Sequence, residues 1–226
     1  WSISWRIKLP TQILTGFLVW VQFIQEMPLI TFFGYSISDN PIIVGPLFVF
    51  WFVGIVNAVN LIDGMDGLAG GYIFLTSFFA LIIGWITGNK DFIYFNTIFM
   101  GAMAAFLYFN QRPAKFFMGD SGSLLLGFHL AVLPLLYFAT MPSKQIINMT
   151  PFIILSSYLI IDTTRVFYDR LKKRMHPLEP DQNHLHHLLY NSTGSYKGTL
   201  LTIFIYLSIF GVMAIVSLIS APGLIT

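Results

Sequence analysis

Seven stretches of roughly 20 mostly apolar residues occupy most of this chain, and they decide what it can fold into. They fall at 8–31, 41–60, 68–87, 92–110, 121–140, 150–168 and 199–221. In hydrocarbon every backbone polar group must be satisfied within the segment, so each stretch is expected to be a helix. The expected fold is all-α, a polytopic membrane protein with about seven transmembrane helices, forming one domain over residues 1–226. Composition agrees: 10% of residues are charged, against about 25% in soluble domains. The absence of Cys excludes disulfides and thiolate metal sites. A net charge of +2 is too small to suggest a nucleic-acid partner. No basic region leads into a short apolar run with a small-residue cleavage site, so no signal peptide is read. The chain opens on Trp1 rather than Met, and is read as the C-terminal portion of a longer protein.

The connectors orient the spans. One set holds Arg6, Lys8, Arg112, Lys115, Arg165, Arg170, Lys172, Lys173, Arg174 and Lys197. The other holds Lys90 and Lys144, so ten of the 12 basic residues lie on one side. The positive-inside rule places that side in the cytoplasm.

Three polar clusters fall on that same side, although none was used to set the orientation. The first is Asn57-Ala58-Val59-Asn60-Leu61-Ile62-Asp63-Gly64-Met65-Asp66-Gly67. Asn57 and Asn60 share a helix face, and two carboxylates follow, each before a glycine that permits close backbone approach. A polar turn capping the next helix is the structural alternative. Unpaired acids at a membrane boundary are costly, however, and usually functional. The second cluster is Phe116-Phe117-Met118-Gly119-Asp120-Ser121-Gly122-Ser123. Asp120 or Ser121 is placed to cap a helix, and a carboxylate between glycines also suits a hard cation such as Mg²⁺. Asn110 and Arg112-Pro113 close the preceding span. The third is Asp181-Gln182-Asn183-His184-Leu185-His186-His187, which follows a basic run suited to anionic headgroups. It lacks the His-Glu-x-x-His spacing of a zinc site, and phosphate contact fits its surroundings better. His129 inside the fifth span reads as an interhelical hydrogen bond, and Asp162 as a local ion pair with Arg165. Acids, a Mg²⁺-suited carboxylate, imidazoles and guanidinium at one membrane surface describe phosphoryl-type chemistry.

In this order the clusters resemble the polyprenyl-phosphate N-acetylhexosamine-1-phosphate transferases, the MraY/WecA-like family (glycosyltransferase family 4). The matching strings are Asn57-x-x-Asn60-x-x-Asp63-Gly64-x-Asp66-Gly67, Met118-Gly119-Asp120-x-Gly122-Ser123 and Pro180-Asp181-x-x-His184-x-His186-His187. The resemblance covers essentially the whole chain. It implies that a UDP-N-acetylhexosamine and polyprenyl phosphate give polyprenyl-pyrophosphoryl-sugar and UMP, with Mg²⁺ (or Mn²⁺) as cofactor. It implies Asp120 as the metal ligand and Asp63 as an active-site acid, with His184, His186 and His187 facing the diphosphate or sugar. Phe117 would stack on uracil, and Asn110 and Asp66 would contact the nucleotide. Asn57, Asn60 and Arg165 complete the implied substrate-binding set. The His-x-His-His form with Asp162-Thr163 resembles the branch that starts O-antigen, common-antigen or teichoic-acid linkage units. UDP-GlcNAc and undecaprenyl phosphate are therefore the expected substrates. A bacterial inner-membrane location, a cytoplasm-facing site and a homodimer are implied as well. The family also carries an Asp-Asp pair on an earlier cytoplasmic segment, which this chain lacks, so activity is expected of the parent protein.

Two rival classes are a transporter and a non-catalytic nucleotide-binding paralogue. Transporter sites lie at the midplane, whereas these polar residues crowd one face.

Overall fold

The computed structural model describes residues 4–23, 29–38, 40–141, 146–174 and 183–220. The described elements, in chain order, are α1 Trp5–Phe23, β1 Leu29–Phe32, β2 Tyr35–Ser38, α2 Pro41–Ile62, α3 Leu68–Ile86, α4 Lys90–Asn110, α5 Gly119–Ala139, β3 Ile146–Asn148, α6 Thr150–Leu155, α7 Ser157–Lys172, α8 Leu185–Thr193 and α9 Tyr196–Ile219. Local chemistry sets several starts. Asn40 caps α2 by accepting from the Ile42 N–H at 3.0 Å, with Pro41 in the first turn. Asn89 caps α4 through the Phe92 N–H at 3.1 Å, and Ser195 caps α9 through the Gly198 N–H at 3.1 Å. Gly67, at φ 78°, turns the chain into α3 in a conformation that only glycine adopts without strain.

Five helices among the described residues are long and apolar enough to cross a membrane: α2, α3, α4, α5 and α9. The chain is a polytopic, essentially helical membrane protein. Large apolar side chains on α4 and α9, among them Tyr94, Ile98, Leu201, Ile205 and Val212, are exposed on the outside of the bundle. In water such a surface would drive aggregation, whereas lipid is its natural solvent.

Two of the expected spans differ. The first ends as a helix at Phe23, and residues 29–32 form a strand instead. The sixth breaks at Ser156 into α6 and α7, and α7 runs on to Lys172. At the break the Ser156 N–H donates to both Phe152 and Ile153 carbonyls, and the Leu155 carbonyl accepts from the Tyr72 hydroxyl at 2.7 Å. A neighbouring helix thus satisfies backbone that an interrupted membrane helix exposes.

A small sheet, absent from the sequence expectation, has the order β2-β1-β3. β1 and β2 form an antiparallel hairpin around Phe33-Gly34, both at positive φ, and β3 adds in parallel to β1. The sheet ties residues 29–38 to residues 146–148. The Asn89 side chain donates to Thr140 Oγ1 at 2.8 Å.

The core lies between α2, α3 and α5, with α9 packed on α3 and α6. Where α2 crosses α5 the backbones nearly touch: a Cβ on Gly127 would lie 2.7 Å from the Val56 Cα. Small residues permit such crossings in membrane bundles. Gly127→Ala is therefore expected to destabilise by about 1–3 kcal/mol through overpacking, read as a lower apparent Tm of purified protein. An unchanged melt would show that the two helices have room to part.

Candidate active site

Four pieces of chain that the sequence places on one side converge there in space. They are the start of α1, the 60–67 turn after α2, the 110–120 connector into α5, and the start of α8.

Asp120 lies in the first turn of α5, where a negative charge suits the helix N-terminus. It was expected to be able to cap α5. Instead Met118 takes the cap position without a side-chain bond, and the carboxylate reaches to other helices. Asp120 Oδ2 is 2.8 Å from Lys8 Nζ, and Oδ1 accepts from Asn60 Nδ2 at 3.1 Å. The same Asn60 amide donates to Ser123 Oγ at 2.7 Å, so Asn60 orients Asp120 on the facing helix. Asn57 does something else. Its amide exchanges hydrogen bonds with Gln12 at 2.7 and 3.3 Å, which clasps α1 to α2.

Asp63 ends α2 and is half-buried. Burial, then the Asp120 charge, then the Asp66 charge push its carboxyl up to about 6. Three acids therefore crowd one corner, with Lys8 as a nearby cation. Asp66 serves partly as a staple. Its Oδ2 accepts from the Ala114 N–H at 3.2 Å, and its carbonyl accepts from the Tyr196 hydroxyl at 2.8 Å. Asn110, buried, accepts from the Gly67 N–H at 2.8 Å and donates to the Phe116 carbonyl at 2.8 Å. These bonds pin the 110–118 connector against the 63–67 turn. Phe116 turns back onto Phe106, whereas Phe117 is left 69% exposed at the rim, a free aromatic face.

The histidines complete the site. His186 is fully buried, and neither ring nitrogen finds a partner among the described residues. Burial first, then the neighbouring His187, hold it down to about 4, so it is neutral at pH 7. Its ring centroid is 4.1 Å from that of His187 and 5.8 Å from that of His184. A Cβ on Gly64 would lie 3.1 Å from His186 Nε2 and 3.6 Å from His187 Nε2, so the glycine lets the Asp63 turn approach the imidazoles. Arg165 was expected to bind substrate. Its guanidinium donates to Asp162, Asp169 and the Asn183 carbonyl, a brace between α7 and Asn183. Pro180, Asp181 and Gln182 of the expected third motif lie outside the described residues.

Lys8 and Gln12 were missed as site residues. Their signal was available: two polar side chains one helical turn apart in an apolar segment, where each needs a partner.

Chemically, the arrangement pairs crowded carboxylates and an ammonium with a row of imidazoles and an exposed aromatic ring, all at one end of a membrane bundle. The sequence profile of Glycosyl transferase family 4 matches residues 1–138, which include Lys8, Asn57, Asn60, Asp63, Asp66, Asn110, Phe117 and Asp120. A probable undecaprenyl-phosphate N-acetylglucosaminyl 1-phosphate transferase of Bacillus subtilis (strain 168) is 36% identical over 76% of this chain and 47% of its own. A phospho-N-acetylmuramoyl-pentapeptide-transferase of Clostridium perfringens (strain 13 / Type A) is 33% identical over 80% of this chain and 56% of its own. An undecaprenyl-phosphate alpha-N-acetylglucosaminyl 1-phosphate transferase of Thermotoga maritima is 32% identical over 89% and 59%. The chain spans about half the length of the curated relatives it matches.

Proposed function

From the premise that this chain belongs to glycosyl transferase family 4, we propose that its protein transfers N-acetylhexosamine-1-phosphate from a UDP-sugar to undecaprenyl phosphate. UMP is released, and the product starts a cell-envelope polysaccharide. The observation that carries this reading is the convergence of Lys8, Asp63, Asp120 and the His184–His187 row from four separate connectors. A diphosphate needs cations and N–H donors on one side, and the sugar needs acceptors on the other; this corner supplies both.

The residues fit Mg²⁺. Among the described residues no three His, Asp or Glu side chains form a cage, but Mg²⁺ takes one or two carboxylates and completes its shell with water and phosphate oxygens. Asp63, raised by burial and then by the charges of Asp120 and Asp66, marks a place where extra positive charge is favourable. Asp120 would hold the ion, which when bound neutralises charge on the diphosphate. Lys8 Nζ is placed to share that task. Asp63, its carboxyl pushed up to about 6 by burial and by the neighbouring acids, would be able to hold or release a proton there.

We read residues 1–226 as one transferase domain, with α1 and the α6–α7 pair as further membrane elements, which completes the expected seven. The basic connectors support a cytoplasm-facing site in a bacterial inner membrane. The His-x-His-His form supports UDP-GlcNAc as donor. Relatives named for both N-acetylglucosamine and N-acetylmuramoyl-pentapeptide substrates match at similar identity, so the assay includes both donors.

The test is UMP release from each UDP-sugar with undecaprenyl phosphate, with and without Mg²⁺, using the full-length protein. Mg²⁺-dependent release is expected, and none with either donor from folded protein would overturn the reading. Phe117→Ala should weaken donor binding about ten-fold or more, because base–aromatic stacking contributes roughly 1–3 kcal/mol. Unchanged donor affinity would remove Phe117 from the nucleotide site.

A further inference from the structure

Asp162 does more than pair with Arg165. We propose that it is the positioning residue that fixes the tautomer and aim of His184, so that His184 Nε2 is presented to the sugar-phosphate of the donor. The proposal rests on the transferase reading for its substrate, and on geometry for the rest.

Asp162 lies on α7 and is 1% exposed. A local ion pair would leave most of a buried carboxylate unsatisfied, and a buried charge demands full pairing. The pairing comes from across the 175–182 segment. Asp162 Oδ2 is 2.8 Å from His184 Nδ1, and Oδ1 accepts from the Leu185 N–H at 2.8 Å as well as from Arg165 Nη2 at 3.3 Å. Arg165 also donates to the Asn183 carbonyl. The carboxylate is thus the anchor by which the histidine segment docks on α7.

The anchor has a chemical consequence. An ionised carboxylate only accepts, so His184 Nδ1 must carry the hydrogen. Nε2 of the neutral ring then holds the lone pair. That atom is buried and has no partner among the described residues. The two nitrogens of His186, stacked beside it at an 11° interplanar angle, are orphaned as well. An unmade buried hydrogen bond is costly, and a bound ligand is one way to supply the missing partner. The row borders the Asp63-Gly64 turn, which the missing Cβ lets come close to His186 and His187. A ligand with hydroxyl and phosphate oxygens satisfies these atoms. Nε2 accepts from a sugar hydroxyl when the ring is neutral and donates to a phosphate oxygen when it is protonated.

Asp162→Asn separates positioning from packing because it is nearly isosteric. The amide oxygen can keep Leu185 and Arg165, which leaves the amide NH₂ facing His184 Nδ1. Nδ1 must then accept, and the ring proton moves to Nε2. In the full-length protein we expect kcat to fall about 10–100-fold, in line with supporting residues that orient a functional histidine, with the donor KM changed only a few-fold. Side-chain ¹⁵N spectra should show the His184 proton on Nδ1 in the wild type and on Nε2 in the variant. Adding Asp162→Asn to His184→Ala should cost less than about two-fold more, because coupled residues do not add. Multiplying losses, or an unchanged kcat, would overturn the proposal. So would a wild-type neutral His184 protonated on Nε2, a result that stands even if the variant does not fold. If the wild type releases no UMP, the transferase reading fails, while the tautomer measurement still decides the role of Asp162.

Discussion

Asp120→Asn is expected to yield a folded, membrane-inserted protein whose transfer has fallen by a factor on the order of 10³ or more. The substitution keeps the shape of the side chain and an oxygen for the Asn60 amide, which now donates at 3.1 Å. It removes the charge that Lys8 meets at 2.8 Å and the one carboxylate assigned to the metal. Helix α5 loses a favourable charge in its first turn, worth about 0.3–1 kcal/mol, so the melt should shift little. Donor binding without Mg²⁺ should survive, because Phe117 and the stapled 110–118 connector do not depend on Asp120. Loss of turnover with retained binding is the signature sought. Normal Mg²⁺-dependent turnover in the variant would remove Asp120 from the metal site. Loss of folding would show that the Lys8–Asp120–Asn60 contact is an architectural joint first.

Much of this site was legible in the sequence because lipid makes polar residues conspicuous. In an apolar chain every Asp, Asn or His must have a partner, and the clusters around Asp63, Asp120 and His184 stood out for that reason. What the residues partner was not legible. Asn57 and Asn60 share a helix face, yet one turns to Gln12 and the other to Asp120, since α2 lies between α1 and α5. Asp162 read as a local pair because helical spacing shows i, i+3 neighbours and hides a partner 22 residues away. The β1–β2 hairpin was hidden for a different reason. Leu29–Phe32 is only four residues long, set off from α1 by Gln25, Glu26 and Pro28, and so short a run has no period that separates strand from helix. The α6–α7 break is likewise a tertiary matter, set by where Tyr72 and Tyr206 reach Leu155 and Ser157.

The crowding of acids leads to an opposed pair of effects for Asp63→Asn: slower chemistry in a more stable protein. In the folded protein burial and the charges of Asp120 and Asp66 raise the Asp63 carboxyl from 3.8 to about 6. The folded state therefore binds this proton more tightly than the unfolded chain does. Its contribution is fully present below pH 4 and is lost as pH rises through 6. Above pH 6 the ionised group is a liability that Asn does not carry. Without Mg²⁺ or nucleotide, the variant should be more stable by about 1 kcal/mol at pH 7.5 after allowance for solvent screening, or roughly 2–4 °C in apparent Tm. At pH 4 the two proteins should melt together. Mg²⁺ should shrink the difference at pH 7.5, because a cation beside Asp120 relieves the same repulsion. Transfer should fall at least about 10²-fold, the scale of a lost proton-handling group. A site that trades stability for function behaves in this way. A variant less stable than wild type at pH 7.5 would mean that Asp63 is held by attraction rather than crowded by like charge. The case for a cation at this corner would then lose its physical basis.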